Sequence, residues 1–445
     1  MNIEDSILLR VLCVSVVQFY FIDSKEFFLE TVILAYSGGL DTSVAIKWIK
    51  EKYNFDVIAL TIDLGSEKDL SSIRQRALDV GAIDAKVVDG RDIFLKHFAF
   101  PALQAGAIYE KEYPLATAIG RPLIAKLLVD VAHEYGAKAV AHGCTGKGND
   151  QVRLDVSVAA LDPKLQIIAP VREWKMSRPE EIEYARVNDI PIPATVDSPY
   201  STDVNLWGRS VEAGILEDPW IEPPSDVWLW TKNPEGAPNH AQIVEIEFEK
   251  GVPIALDGES LDGVTLVNKL NDLAGEHGVG RIDHVENRLV GIKSREIYEA
   301  PASVVLHQAH QALEDMTLSR DQARFKATVS NQIAEMIYNG LWFSSLHQDL
   351  RAFVESSQRH VEGIVRVKLF KGHSSVVGRK SAKSLYQYDL ATYDKGDTFD
   401  QDAAMGFIKL WGLPLQTQTR IQMLASNEQS FLELLPPETT RKQAE

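Results

Sequence analysis

The sequence has very little cysteine and no long uninterrupted apolar run. Cys13 and Cys144 are the only cysteines in 445 residues, and neither belongs to a CxxC pair or a Cys/His cluster with zinc spacing. These absences exclude a disulfide scaffold and a zinc ribbon, and they favour the cytosol as the compartment. The apolar segment at residues 7–22 is interrupted by arginine, serine and glutamine, so it is too short and too polar for a membrane-spanning helix.

Residues 1–30 match no targeting pattern. Glu4 and Asp5 precede the apolar segment, where a signal peptide has basic residues, and no small-residue cleavage motif follows. We interpret residues 1–30 as an N-terminal extension with no assigned role. Two readings stay open: an added peripheral strand or helix, or residues that the fold does not need.

Basic residues are outnumbered by acidic ones. The chain has 46 Lys plus Arg against 63 Asp plus Glu, a formal net charge of −17. A broad nucleic-acid surface needs clustered positive charge, so we expect no nucleic-acid partner. Small anionic ligands remain compatible with this charge, because screening lets a few nearby cations decide what a pocket binds.

Short apolar runs alternate with amphipathic segments from residue 31 to about residue 190. Strands are predicted at 32–35, 57–62, 85–88 and 137–141, and helices at 43–50, 70–80 and 121–135. This alternation is typical of βαβ units and predicts an α/β fold class with a parallel sheet covered on both faces. Ligands are expected at the carboxyl ends of the strands.

The pattern changes between residues 190 and 200, where we predict a domain boundary. Strands at 244–248, 361–370 and 374–377 and long amphipathic helices at 300–316 and 319–338 predict an α+β second half. The region beyond residue 413 is a C-terminal tail, predicted to be helical or frayed.

The first segment with clear chemistry lies between the first predicted strand and helix. Its residues are Ala35, Tyr36, Ser37, Gly38, Gly39, Leu40, Asp41, Thr42 and Ser43. Adjacent glycines let the backbone approach a phosphate, and the hydroxyls lie near the N–H groups of a helix start. A pyrophosphate site is the favoured interpretation, and an ordinary N-cap is the alternative. No GxxxxGK[ST] motif is present, so this is not a Walker A loop.

A second polar loop, residues 142–153 (HGCTGKGNDQVR), follows the strand predicted at 137–141. Both loops would lie at the carboxyl edge of the same parallel sheet and share one ligand site. The alternative is a flexible glycine-rich connector.

Together these loops resemble those of the argininosuccinate synthase family, in the PP-loop (N-type ATP pyrophosphatase) group. The resemblance continues through 113–122 (YPLATAIGRP), 190–193, 212–216, 277–288 (HGVGRIDHVENR) and 293–298, and covers about residues 31–412. It implies a Rossmann-like nucleotide-binding domain at 31–195, a synthetase and oligomerisation domain at 196–412 and a tail at 413–445.

The resemblance also implies an activity. Members of the family join L-citrulline to L-aspartate using ATP, by way of a citrullyl-adenylate, and release AMP and pyrophosphate in arginine biosynthesis. For this chain the resemblance implies ATP and Mg²⁺, a cytoplasmic homotetramer, small-molecule substrates and no membrane partner. Magnesium ligands are not assigned.

Site residues follow from the resemblance position by position. ATP would be held by residues 35–43 with Ile62 and Gly143. Citrulline would be held by Tyr113, Thr117, Asn149, Arg153, Ser201, Ser210, Glu286 and Tyr298. Aspartate would be held by Thr117, Arg121, Thr145, Asn149 and Asp150. The residues expected to be catalytic are Asp41, Asp150 and Arg153.

Two of these assignments have structural alternatives. Arg121 with the following proline is typical of a helix start, which would make this arginine structural. Glu286 has the alternative of an ion pair with Arg281 or Arg288. We also expect Arg121 and Arg153, with Lys147, to supply the local positive charge that anionic ligands require.

Two other functions share the first loop. One is a PP-loop enzyme that amidates a nucleotide or modifies tRNA, but no glutaminase module, basic surface or zinc knuckle is present. The other is a non-catalytic ATP sensor, which the retention of Asp41, Arg153 and Glu286 disfavours.

Overall fold

The computed structural model describes residues 30–66, 69–191 and 200–423. The chain divides into two compact units, with the division between Leu385 and Tyr386. Residues 1–29 of the predicted extension, most of the predicted boundary at 190–200 and the end of the tail lie outside the described residues.

A five-stranded parallel sheet forms the beginning of the first unit. Its strands are Thr31–Ala35 (β1), Asp56–Asp63 (β2), Asp84–Asp89 (β3), Ala139–Ala141 (β4) and Gln166–Ile168 (β5). The strand order is β3-β2-β1-β4-β5. Val32, Ile33 and Leu34 of β1 are completely buried, as expected for a central strand covered on both faces. The predicted α/β fold class is confirmed.

Helices lie between and after these strands. They are Leu40–Tyr53 (α1), Leu70–Val80 (α2), Arg91–Phe94 (α3), Phe100–Ala105 (α4), Ala116–Tyr135 (α5), Asn149–Leu161 (α6), Pro170–Trp174 (α7) and Arg178–Val187 (α8). A π-helical turn, Leu95–Ala99, joins α3 to α4.

Helix α5 begins five residues earlier than the sequence suggested. Leu115 has a φ of +64° and precedes the first helical residue, Ala116, so Arg121 and Pro122 lie inside the helix. An interior proline costs about 3 kcal/mol. The residues around it, Ala118, Ile119 and Leu123, are almost fully buried, and their packing offsets that cost. The interpretation of Arg121 and Pro122 as a helix start is therefore wrong.

The rest of the first unit contains two antiparallel sheets. The strands are Ser201–Asn205 (β6), Gly208–Glu212 (β7), Gln242–Glu249 (β8), Val252–Leu256 (β9), Glu259–Ser260 (β10), Arg281–Asn287 (β11), Lys293–Glu299 (β12), Gly363–Phe370 (β13) and His373–Lys380 (β14). Their orders are β11-β12-β7-β6 and β10-β9-β8-β13-β14. In the first of these sheets Tyr298 of β12 pairs with Ser210 of β7.

Helices pack against these sheets. They are Gly263–Glu276 (α9), Pro301–Thr317 (α10), Arg320–Tyr338 (α11) and Ser345–Ser357 (α12). Two of them, α10 and α11, lie where the amphipathic periodicity predicts long helices. One apolar cluster contains Leu64 and Phe94 from the first half together with Val244, Leu306 and Ile337 from the second. The two halves of the first unit therefore share a core.

The second unit is helical in its described part. It contains Tyr388–Ala391 (α13), Gln401–Trp411 (α14) and Leu413–Gln418 (α15), followed by the π-helical turn Thr419–Met423. Across residues 30–66, 69–191 and 200–423, no helix combines the length and apolar character that a bilayer crossing requires.

Glu299, at the end of β12, is a completely buried carboxylate. One oxygen accepts hydrogen bonds from the amide N–H groups of Trp230 and Thr231 (both 2.9 Å) and from the Thr231 hydroxyl at 2.7 Å. The other accepts from the Leu229 amide at 3.0 Å and from Arg209 Nη1 at 2.8 Å. This side chain therefore fastens the loop at 229–231 to the antiparallel sheet.

We predict that Glu299→Gln lowers the apparent Tm by roughly 5 °C, because removing one partner of a buried ion pair costs about 3–5 kcal/mol. Differential scanning calorimetry at one fixed scan rate measures the change. Glu259→Gln is the control, since Glu259 is exposed and pairs with Lys269 at the surface. Equal Tm values for the two variants would contradict the structural role of Glu299.

Candidate functional site

The glycine loop, residues 35–43, follows β1 and ends in the first turn of α1. Gly38 has a φ of +75°, and a Cβ there would lie 2.9 Å from Ile73 Cγ1, so the position requires glycine. Gly39 is the N-cap of α1, and no side chain accepts a hydrogen bond from the first turn. Gly39 thus acts as the N-cap through its backbone alone. The N–H groups of a helix start and the helix dipole favour an anion.

The second polar loop lies against the first. Strand β4 pairs directly with β1, with Val32 opposite Ala139, so the chain leaves both strands at the same edge. A Cβ on Gly143 would lie 3.0 Å from Thr42 Cγ2, which shows how closely the loops approach. From this point the chain continues from β1 to β2 on one side and from β4 to β5 on the other, so the strand order reverses here. Open α/β folds bind ligands at such a switch point.

Side chains hold the second loop from behind. His142 is buried, its Nε2 lies 2.7 Å from Asp155 Oδ1, and its Nδ1 accepts a hydrogen bond from the Cys144 amide at 3.2 Å. Gln151 Nε2 donates to the carbonyl of Gly146 at 2.5 Å. The loop backbone is thus fixed at both Cys144 and Gly146, while the side chains of Thr145 and Lys147 are exposed. This arrangement disfavours a flexible connector.

Two arginines contact the glycine loop, and sequence reasoning missed both. Arg76 Nη1 donates to the Gly38 carbonyl at 2.5 Å, and Arg178 Nη1 donates to Asp41 Oδ1 at 2.5 Å. Arg178 also pairs with Glu181 at 2.9 Å. Burial, and then the nearby Asp41 carboxylate, raise the pKa of Glu181 to about 7. No local motif marks these residues, because they come from α2 and α8.

Arg121 and Arg153 lie on either side of the Asp150 carboxylate. Arg121 Nη2 is 2.8 Å from Asp150 Oδ2 and 2.6 Å from Asp203 Oδ2, and Arg153 Nη1 is 3.0 Å from Asp150 Oδ1. Burial alone would raise the pKa of Asp150, but the two guanidinium groups outweigh it and hold the pKa at about 2. Asp150 and Asp203 therefore offset the positive charge expected from Arg121 and Arg153, while Lys147 is exposed.

Glu286 lies among tyrosine hydroxyls. It is 3% exposed, and its two oxygens accept hydrogen bonds from Tyr298 at 2.6 Å and Tyr338 at 2.5 Å. The alternative ion pairs are not formed: Arg281 donates to Thr231. Arg288 pairs with Glu212 and Glu296 instead.

The remaining residues of this group are linked through Tyr113. Its ring stacks on Tyr298 with centroids 4.2 Å apart, and its hydroxyl accepts from the Thr117 amide at 2.9 Å. Thr117 Oγ1 lies 3.3 Å from Ser210 Oγ. Asn149 donates through Nδ2 to the Tyr338 hydroxyl at 2.8 Å, which joins this group to α6.

Some predicted residues stand apart from these contacts. Ser201 is the first residue of β6, opposite Glu212, and its side chain is exposed. Ile62 is the next-to-last residue of β2 and pairs with Val88. Two residues that the sequence did not single out, Asp203 and Tyr338, contact several of the predicted ones. Only the helical periodicity of α11 pointed towards Tyr338.

No ready-made metal cluster is present in the parts of the chain that the structure describes, where no three His, Cys, Asp or Glu side chains converge. Asp41 is the carboxylate nearest the start of α1, and its side chain is 40% exposed. One exposed carboxylate beside a phosphate site suits Mg²⁺, which takes most of its remaining ligands from water and phosphate oxygens.

Comparison with known proteins identifies relatives over about nine-tenths of the chain. A family model described as the arginosuccinate synthase N-terminal HUP domain matches residues 31–191, and one for the C-terminal domain matches residues 200–418. Curated argininosuccinate synthases are similar over nearly their full length. That of Oceanobacillus iheyensis is 59% identical over 392 residues, 88% of this chain and 94% of the relative.

Two further curated argininosuccinate synthases are similar to this chain over nearly their full length. The argininosuccinate synthase of Dehalococcoides mccartyi is 59% identical over 399 residues, 90% of this chain and 98% of the relative. The enzyme of that name from Brevibacillus brevis is 55% identical over 416 residues, covering 93% of this chain and 99% of the relative.

The raised pKa of Glu181 predicts a pH-dependent stability. The folded state binds a proton with a pKa of about 7, above the usual 4.5 of an unfolded glutamate, so stability falls as the pH rises through this range. Glu181→Gln has no carboxyl to titrate at this position. We predict that the Tm of this variant minus the Tm of the unsubstituted protein increases from pH 5 to pH 8. Thermal scans across that range measure it.

Glu183→Gln is the control, because Glu183 is exposed and the Arg186 guanidinium lowers its pKa, the opposite of the shift at Glu181. A constant Tm difference for Glu181→Gln from pH 5 to pH 8 would show that this carboxyl does not titrate there.

Proposed function

The chain belongs to the argininosuccinate synthase family, and from this we infer that it joins L-citrulline to L-aspartate with consumption of ATP. The products are argininosuccinate, AMP and pyrophosphate, in arginine biosynthesis. The observation that carries the inference is 55–59% identity to curated synthases over about nine-tenths of the chain. Contact between the glycine loop and the second polar loop is consistent with it.

The chemistry explains why no nucleophilic side chain is needed. A ureido carbon is a poor electrophile, so the ureido oxygen attacks the α-phosphorus of ATP and pyrophosphate leaves. The aspartate amine then attacks the activated carbon, and AMP leaves with the former ureido oxygen. What the protein supplies is alignment of substrates, charge stabilisation and exclusion of water.

We propose that ATP binds along the glycine loop. Residues Ala35 to Ser43 would hold ATP, because the start of α1 has no side-chain cap and offers N–H donors there. The residues around the β- and γ-phosphates would be Ser37, Gly38, Gly39, Asp41, Thr42 and Ser43. Ile62 would meet the adenine through its backbone, and Gly143 would line the nucleotide. Arg178 and Arg76 lie within reach of this loop and add positive charge to it.

We propose that citrulline binds beside β12. Glu286 is buried with two hydroxyl donors and, among the described residues, has no Lys or Arg in ion-pair contact, so a citrulline ammonium would complement its charge. The other proposed citrulline contacts are Tyr113, Thr117, Asn149, Arg153, Ser201, Ser210 and Tyr298.

We propose that aspartate binds near Arg121. One of its carboxylates would take the place of Asp203 on this guanidinium, which now pairs with both Asp150 and Asp203. Thr117, Thr145, Asn149 and Asp150 would complete the pocket. Asp150, held anionic between two arginines, would keep Arg153 and Arg121 in position during the reaction, as a catalytic group rather than a proton acceptor.

Magnesium is the proposed metal. Asp41 is the residue that would hold it, with the polyphosphate as its main ligand and Ser37 and Thr42 nearby. The ion would neutralise charge on the leaving pyrophosphate. The Asp41 carboxylate is paired with Arg178, so Mg²⁺ would share this carboxylate with the guanidinium or displace it.

Domain and assembly assignments are part of the proposal. We propose a nucleotide-binding domain at 31–195, a synthetase domain at 196–412 and a tail at 413–445, after an extension at 1–30. The family implies small-molecule substrates. We propose a cytoplasmic homotetramer without a nucleic-acid or membrane partner.

Isotope transfer tests the reaction directly. With Mg-ATP, aspartate and citrulline carrying ¹⁸O in the ureido group, we predict that the label appears in AMP in a one-to-one ratio with argininosuccinate. Mass spectrometry of both products measures it, and each substrate is omitted in turn as a control. Argininosuccinate formed with unlabelled AMP would exclude the adenylate route, and absence of any product would overturn the function itself.

Asp41→Ala tests the phosphate loop. We predict that kcat/KM for ATP falls about 100-fold. Without Asp41 the proposed Mg²⁺ loses its protein ligand, and with it the charge stabilisation at the leaving pyrophosphate is lost. The matched control is Asp321→Ala, since Asp321 is likewise the second residue of its helix and lies beside an arginine, but is exposed on α11. Wild-type kinetics for Asp41→Ala would mean that the pyrophosphate binds elsewhere.

A further inference from the structure

Tyr338 is completely buried at the last position of α11, and none of the site assignments above includes it. Its hydroxyl donates to Glu286 Oε1 at 2.5 Å and accepts from Asn149 Nδ2 at 2.8 Å. A hydroxyl has one hydrogen to donate, so these two bonds fix its role as donor to the carboxylate and acceptor from the amide.

The rest of Tyr338 holds the same neighbourhood together. Its carbonyl accepts from Arg153 Nε at 2.8 Å, and the Arg153 guanidinium lies over its ring at 4.7 Å. The ring also stacks on Tyr109, with centroids 3.6 Å apart and planes 8° apart. One residue thus touches Glu286, Asn149 and Arg153, which come from β11 and α6.

The Asn149 amide is oriented by this contact. Because Nδ2 donates to Tyr338, the oxygen Oδ1 faces the other way and accepts from the Leu289 amide at 2.9 Å. Both ends of the amide are therefore committed. The same residue is proposed to contact citrulline and aspartate, so its orientation affects both substrates.

We propose that Tyr338 is a positioning residue for citrulline: its hydroxyl fixes the Glu286 carboxylate that receives the substrate ammonium and joins that carboxylate to Asn149. This inference rests on the proposed function and on the role of Glu286 in it. Tyr298 holds the other carboxylate oxygen, so the two hydroxyls together leave Glu286 little freedom to rotate. A carboxylate held in this way binds an ammonium without first being ordered.

Tyr338→Phe removes only the hydroxyl, while the stacking, the cation–π contact and the backbone acceptor remain. We predict that the KM for citrulline rises on the order of 10-fold, since a hydrogen bond to a charged group is lost. The KM for ATP should stay within about twofold and kcat should change much less than the KM for citrulline. Steady-state kinetics with each substrate varied measures the split.

A double-mutant cycle separates positioning from general structure. In a Glu286→Gln background, removal of the Tyr338 hydroxyl should change the KM for citrulline by less than about twofold, because the charged partner is already gone. An equal effect in both backgrounds, or an unchanged KM in the single variant, overturns the proposal. The citrulline-dependent rise in Tm gives the same comparison by binding alone, for a variant too unstable to assay by turnover.

Tyr135→Phe is the matched control. Tyr135 is also the last residue of its helix and also donates to a carboxylate, Asp84 at 2.7 Å, but at the surface. Its kinetics should match those of the unsubstituted protein.

The analogue 5-ureidopentanoate, which lacks the α-amino group, distinguishes failure of the proposed citrulline site from failure of the proposed role of Tyr338.

The unsubstituted protein should prefer citrulline strongly over this analogue, and Tyr338→Phe should reduce that preference. Failure of Glu286→Gln to reduce it would overturn the proposed citrulline site. A reduced preference in Glu286→Gln but not in Tyr338→Phe would overturn only the role of Tyr338.

Discussion

Pairing of β1 with β4 is the constraint on which the site depends. These two strands lie side by side in the parallel sheet, although more than 100 residues separate them in sequence, as Val32 and Ala139 show. Their carboxyl ends bring the glycine loop and the second polar loop together, and Asp150 of the second loop, in the first turn of α6, reaches Arg121. If β4 paired elsewhere, the glycine loop and Asp150 would not share one crevice.

The charged side chains of the site are held by ion pairs or by hydrogen bonds from neutral groups. Asp150 lies between Arg121 and Arg153, Asp41 contacts Arg178, and Glu286 is held by tyrosine hydroxyls. A buried charge without a partner is costly, which explains why the buried guanidinium groups here are paired with carboxylates. In the function we propose, substrate carboxylates would exchange with such partners. Local binding of an anion is therefore compatible with a net charge of −17.

Much of this site was predictable because motifs place chemistry at strand ends. The glycine loop and the second polar loop follow predicted strands, and α10 and α11 lie where the apolar periodicity places them. Arg121 was misread as opening a helix, because the buried residues before Pro122 extend α5 backwards to Ala116. Local proline rules do not include that tertiary packing.

Sequence alone determined the fold class, the family resemblance and the residue types of the glycine loop, because periodicity and adjacent glycines act over short distances. Only the tertiary structure decided which groups became partners. Arg178 reaches Asp41 across 137 residues, and Tyr338 reaches Asn149 across 189 and Glu286 across 52. Such contacts depend on how sheets and helices pack, and no spacing within a local segment encodes them.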